Sequence, residues 1–222
     1  MTRAVAQREM PKDLRVRLRI KDILQSATKL DPGVDSPALR YLRTTAPALD
    51  LARLDLEAFR EHRALNHWAG RSGSWPALIL RARVTPTDKT SALHCIFLTP
   101  EGTLAPLVSP RLLLGPLDGA VVVVADGSGV TYLCEQFDAA LRLVVAGVAG
   151  RVVYALKREN MARISLPRGE KVICVFGAER GVDLMAQAIC NELRCRGLKA
   201  HAAAVSPRGE IDRIVREGEI LA

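Results

Sequence analysis

Glu135 and Asp138 are the residues whose placement most directly offers chemistry. Glu135 follows the apolar run Val130 to Cys134, which reads as a strand, and Asp138 lies one turn into a helical stretch, Gln136 to Ala146. Functional groups in an open parallel sheet gather at the carboxyl ends of the strands. Two carboxylates there can act as general acid and base, or hold a hard cation such as Mg²⁺. The same pair also reads as first-turn acids favoured by the helix dipole. A second apolar strand, Lys171 to Phe176, runs into Gly177-Ala178-Glu179-Arg180-Gly181, where the glycines suit a tight strand-to-helix turn and Glu179 is the lone carboxylate. Glu135 and Asp138 are thus the catalytic candidates, and Glu135 with Glu179 the metal candidates.

Polyanion binding is the other chemistry in view. Lys and Arg total 32 against 24 Asp and Glu, a formal charge of +8 with a pI near 9.6, which favours nucleic acid over an anionic membrane. The nucleic-acid candidates are Arg15, Arg17, Arg19 and Lys21 in the first helical stretch, with Lys157, Arg158 and Arg180 near the strand ends. Aromatic residues are only 4% of the chain, so base stacking is confined to Trp68, Trp75 and Tyr41 and affinity is expected to be phosphate-driven and salt-sensitive. The first helix has a plainer reading as well, a solvated basic face over the packed stripe Val16, Ile20, Ile23, Leu24, Ala27 and Leu30. His94 reads either as a polar contact in a cleft or as a satisfied structural histidine. His62, His67 and His201 lack the company of other ligands at metal spacing.

These residues need elements to hold them. Apolar residues make up 49% and charged residues 25% of 222, enough to bury a core. The five cysteines contain no C-x-x-C pair and read as reduced thiols of a cytoplasmic protein, Cys134 and Cys174 serving as small hydrophobes. Met1 to Met10 lacks the apolar core of a secretory signal, and Leu141 to Leu156 is broken by Arg142 and Arg151, so no membrane segment is expected. Residues 1–35 read as a basic amphipathic helix and the turn Asp31-Pro32-Gly33. Residues 36–118 read as a smaller α+β module, with a helix capped by Ser36, a second helical stretch from Leu49 to Arg63, and strands Ala77 to Val84 and Leu93 to Leu98. After strand Ala120 to Val124, residues 119–222 alternate strand and helix: strands at Val130, Arg151, Lys171 and Lys199, helices after Gln136, near Arg158 and after Gly181. That alternation predicts a parallel sheet with helices on its faces, an α/β fold.

The order of these segments carries a resemblance. Thr131-Tyr-Leu-Cys-Glu135-Gln-Phe-Asp138-Ala-Ala-Leu141 resembles the E-G-x-E-T-A-L motif that opens the Toprim domain of phage and plasmid primases. Upstream, Pro37 to Arg43, Pro76-Ala77, His94, Leu98 to Gly102, Ala105-Pro106 and Leu114-Gly115-Pro116 resemble the module that precedes Toprim in primase-helicase proteins of mobile elements. Downstream, Leu166 to Ile173, the helix after Gly181 and Arg196-Gly197-Leu-Lys199 keep the same order, so the likeness spans about residues 36 to 215. It implies a Toprim-like parallel sheet flanked by helices, and an Mg²⁺ site built from the acid at Glu135 and an Asp-x-Asp pair after a later strand. That pair falls on Phe176 to Ala178, and both aspartates are missing. Glu179 is one residue out of register and Asp183 a turn further, so Mg²⁺ is expected to bind weakly.

Other departures agree. A loop that is small and Ser/Gly-rich in the family is Lys157-Arg158-Glu159-Asn160 here, a family lysine before Ala105 is Leu104, and neither paired cysteines for zinc nor a G-x-x-x-x-G-K-[ST] loop occurs. The resemblance therefore implies a primase-type Toprim protein of a mobile element whose catalysis has decayed, acting on DNA, single-stranded or primer-template, as a binding or replication accessory factor. Two alternatives stand beside it: an active Mg²⁺-dependent primase or nuclease, and a protein-interaction module that docks on a replication helicase or polymerase.

Overall fold

The computed structural model of the chain describes residues 11–69, 73–84, 89–177, 183–205 and 214. Helix α1 (Lys12–Ser26) buries Ile20 and Ile23 and is followed by strand β1 (Thr28–Lys29). The Asp31 side chain then accepts from the Gly33 N–H at 2.9 Å and closes the expected turn. Helix α2 (Pro37–Thr45) starts with Ser36 accepting from Leu39 N–H and Pro37 at the first helical position. The helix expected from Leu49 to Arg63 does not form. Asp50 and Asp55 each bond an N–H two residues on and wind the chain into two single 3-10 turns, Leu51–Arg53 and Leu56–Ala58. The remainder, Phe59–Asn66, becomes strand β2, drawn into register against the long strand β3 (Ser74–Val84).

Strand β3 organises the molecule. Strand β4 (Thr90–Phe97), which in turn pairs β5 (Arg111–Leu114), takes one edge of it. Strand β2 and then β6 (Ala120–Ala125) share the other. Strand β6 also pairs antiparallel with β8 (Arg151–Tyr154), and so joins the antiparallel half to a set of parallel strands in the order β8, β7 (Val130–Cys134), β9 (Lys171–Gly177), β10 (Lys199–Val205). The result is a single ten-stranded mixed sheet rather than a parallel sheet standing apart from its neighbour. All of β7 and all of β9 but Lys171 are buried, as strands covered on both faces must be.

Alternation along the strands sends successive side chains to opposite faces. Leu78, Leu80, Val122, Val124, Tyr132, Cys134 and Ile173 meet α2 and helix α3 (Phe137–Val145) in one core that runs under both halves. The other face is divided. Ile79, Cys95 and Phe97 pack under α1, whereas Leu133, Val153, Cys174 and Phe176 pack under helix α4 (Leu184–Cys195) and the 3-10 segment Arg158–Arg163. Arg53 clamps the halves further, donating to Val144 O at 2.7 Å and Val148 O at 2.8 Å at the end of α3. No described helix is long and apolar enough to cross a membrane.

Candidate functional site

Glu135 stands at the carboxyl end of β7, with the end of β9 beside it and the loop after β8 facing it. Both its carboxylate oxygens are occupied. Arg158 donates from Nε to Oε1 and from Nη2 to Oε2, each at 3.0 Å, and Gly177 N–H donates to Oε2 at 3.1 Å. The remaining arm of Arg158, Nη1, reaches Asp183 Oδ2 at 2.8 Å, and the guanidinium lies 5.1 Å from the Phe176 ring centroid. A planar fork thus holds two carboxylates and rests on an aromatic face, the geometry for which guanidinium is suited and ammonium is not. The Arg158 side chain is 2% exposed and that of Glu135 13%. Burial pulls the Arg158 guanidinium down, and the bonds to Glu135 and Asp183 outweigh it, leaving it above its ordinary value. Asp183 is held below the usual carboxylate range by the Ala186 N–H that it caps at the start of α4, helped by Arg158.

The local sequence builds this clasp. Leu156 takes a left-handed backbone, φ 69°, and so turns the chain sharply after β8. A leucine there costs about 1–2 kcal/mol, which the packing of its own buried side chain helps to offset. Buried Asn160 then anchors the loop, accepting from Gly119 N–H at 2.8 Å and donating to Ala120 O at 2.7 Å and Ala155 O at 2.8 Å. Arg196 secures the far end through Ala162 O and Ile164 O. Gly177 leaves room for the Gln136 side chain, whose amide would lie 2.5 Å from a Cβ there.

Asp138 does not join Glu135. It faces the other half of the molecule, where Arg111 lies 3.5 Å from its Oδ2 and donates to the Tyr41 hydroxyl at 2.8 Å. Next to this group the Tyr154 hydroxyl meets His94 Nδ1 at 3.3 Å. Burial, with Arg111 nearby, pushes His94 down to about 3, so it stands as a neutral, buried structural histidine rather than as a polar contact in a cleft. Tyr41 is buried and occupied by Arg111, which removes it from the stacking candidates.

Arg158, read from the sequence as a phosphate contact, is instead an internal counter-ion; its neighbour Lys157 is exposed. The cleft over the clasp, ≈ 320 Å³, is lined by Glu135 and Glu159 against Lys157 and Arg158, a charge balance of zero. The adjoining hollow of ≈ 270 Å³ balances Asp118 and Glu159 against Lys157 and Arg163. Among the described residues neither concentrates positive potential. Glu179 and Arg180 lie outside the described residues, and among those described no group of three or more metal-ligating side chains occurs.

The cations of α1 are placed differently. Arg15, Arg17 and Lys21 are exposed, and no described carboxylate pairs with them. Arg19 sits 4.6 Å above the Trp68 ring, which braces the helix on the sheet. Of the residues that build the clasp, Asn160 and Phe176 carried no signal of their role in the sequence. A buried loop asparagine and an aromatic facing an arginine are recognisable only once the strand order is known.

Residues 15–124 match a family described as a domain of unknown function (DUF7146), a span that runs from α1 nearly to the end of β6 and stops short of Glu135. No curated protein and no solved structure matches the chain.

Proposed function

We propose that the chain is a primase-type Toprim-like protein that has exchanged metal-dependent phosphoryl chemistry for nucleic-acid binding, and serves as a DNA-binding accessory factor in replication of a mobile element. The observation that carries this reading is the contrast between a neutral, clasped acidic end and a free basic helix. Two-metal catalysis needs carboxylate oxygens open to the ions. Those of Glu135 are both engaged by Arg158, and Phe176 stands where the resemblance calls for an aspartate. Phosphate binding needs cations with no internal partner, and Arg15, Arg17 and Lys21 have none among the described residues.

Fluorescence anisotropy of labelled single-stranded and duplex oligonucleotides, over a salt series with Mg²⁺ or EDTA, tests the reading. The expected result is salt-steep binding indifferent to Mg²⁺ and lost in Arg15→Glu/Arg17→Glu/Lys21→Glu. Binding that requires Mg²⁺, or primer synthesis abolished by Glu135→Ala, overturns it in favour of the enzyme. One observation favours a protein-interaction module instead. Leu14 and Leu18 are 45% and 40% exposed among the same cations, and an apolar pair rimmed by charge fits a protein partner. Absence of DNA binding at low salt would leave that module as the reading.

A further inference from the structure

We infer that Arg158 is a built-in cation occupying the place between Glu135 and Asp183 that a divalent ion would otherwise take, so that the acidic end of the parallel strands is metal-independent in this chain and becomes a cation site only when Arg158 is removed. This rests on the clasp geometry and not on whether the chain binds DNA.

Glu135 and Asp183 approach from different elements, the end of β7 and the cap of α4. They meet across one guanidinium, at 3.0 Å twice and 2.8 Å. Carboxylates from separate elements repel one another unless a cation lies between them. A divalent ion supplies that charge from solvent and departs with chelation; a guanidinium on the chain cannot leave. The surroundings are built for the fork and not for an ion. Phe176 offers a ring face, which supports a guanidinium and gives nothing to Mg²⁺, and the Gly177 N–H points a donor at Glu135 Oε2, where a metal would need the free lone pair. Arg158 is also almost wholly buried, so replacing it by a smaller side chain opens space next to two carboxylates and the ≈ 320 Å³ cleft.

Mn²⁺ binding, read by loss of the free-ion electron paramagnetic resonance signal, tests the inference alongside thermal unfolding in Mn²⁺ and in EDTA. The wild-type chain is expected to bind no stoichiometric Mn²⁺ and to melt at the same temperature in both. Arg158→Ala and Arg158→Gln are expected to bind one ion and to gain about 3–5 °C at roughly ten times its Kd. Arg158→Ala/Glu135→Gln should lose that gain, and Arg158→Lys, which keeps a charge in place, should not acquire it. If Arg158→Ala fails to fold in EDTA, Mn²⁺ is expected to restore folding. Stoichiometric Mn²⁺ on the wild-type chain that disappears in Glu135→Gln would overturn the inference. So would an Arg158→Ala chain that neither binds the ion nor is rescued by it. Stoichiometric Mn²⁺ on the wild-type chain would also count against the loss of metal chemistry in the proposed function, whereas an Arg158→Ala chain that takes no ion sinks only this inference and leaves DNA binding to the oligonucleotide titration.

Discussion

The acidic end of the parallel strands and the outer face of α1 handle charge in opposite ways. Arg158 and Glu135 neutralise one another in a nearly dry setting, and the half-exposed Asp183 joins them from the rim, each at hydrogen-bonding distance. Arg15, Arg17 and Lys21 stand in water with no described carboxylate against them. The difference separates two uses of ionic side chains. A buried, mutually satisfied set is costly to break and holds backbone elements in place. An exposed, unpaired set adds little to stability.

The comparison breaks most severely at Arg158. Arg158→Ala strands the mostly buried Glu135 carboxylate at the sheet end, and denaturant unfolding is expected to register a loss of about 3 kcal/mol. Adding Glu135→Gln should recover part of it, because the buried charge that was left unpaired is then removed. If Arg158→Ala unfolds like the wild type, the clasp is not structural and the contrast fails.

The buried side can be sharpened through His94. Its folded value is pushed down to about 3 from an ordinary 6.5, so the folded chain refuses a proton that the unfolded chain accepts. The contribution to stability is complete above pH 6.5 and declines as pH falls toward 3, by about 2 kcal/mol at pH 5. Unfolding measured across that window should show the decline, and His94→Gln should flatten it. Imidazole resonances of His94 that titrate near 6.5 in the folded protein would contradict the burial argument.

On the exposed side, reversing Arg15, Arg17 and Lys21 together is expected to weaken oligonucleotide binding about tenfold or more. It should also lower the slope of affinity against salt by about 2–3, with the unfolding midpoint unchanged. The smallest effect belongs to Arg163→Ala. Its pair with Asp118 spans 2.8 Å but is exposed on both sides, so thermal unfolding should be indistinguishable from wild type. A large destabilisation there would blur the line between buried and exposed charge.

Much of the framework was legible along the chain because its signals are local. The runs at Val130, Lys171 and Lys199 become strands, Ser36-Pro37 starts a helix, and the alternation after Gly129 becomes parallel pairing of β7 with β8 and β9 and of β9 with β10. Where local and long-range signals compete, the reading parts from the structure. Leu49 to Arg63 has helical periodicity, but two aspartate turns interrupt it and the edge of β3 recruits its second half. Joining of the two halves through β6 was equally out of reach, since which strand takes which edge depends on residues far apart in the chain.

By itself the sequence determined the composition of charge, the elements, and the presence of a glutamate at a strand end. Tertiary structure alone decided what those charges do. Spacing of three residues brings Glu135 and Asp138 onto one helix start, yet they answer to Arg158 and Arg111 on different elements. Adjacent in sequence, Lys157 faces solvent while Arg158 turns inward past a left-handed Leu156. An arginine carries the same charge in either setting; whether it stands in water or is bound internally depends on which carboxylates the fold places within about 3 Å of it, and that is a property of strand order and loop path rather than of residue type.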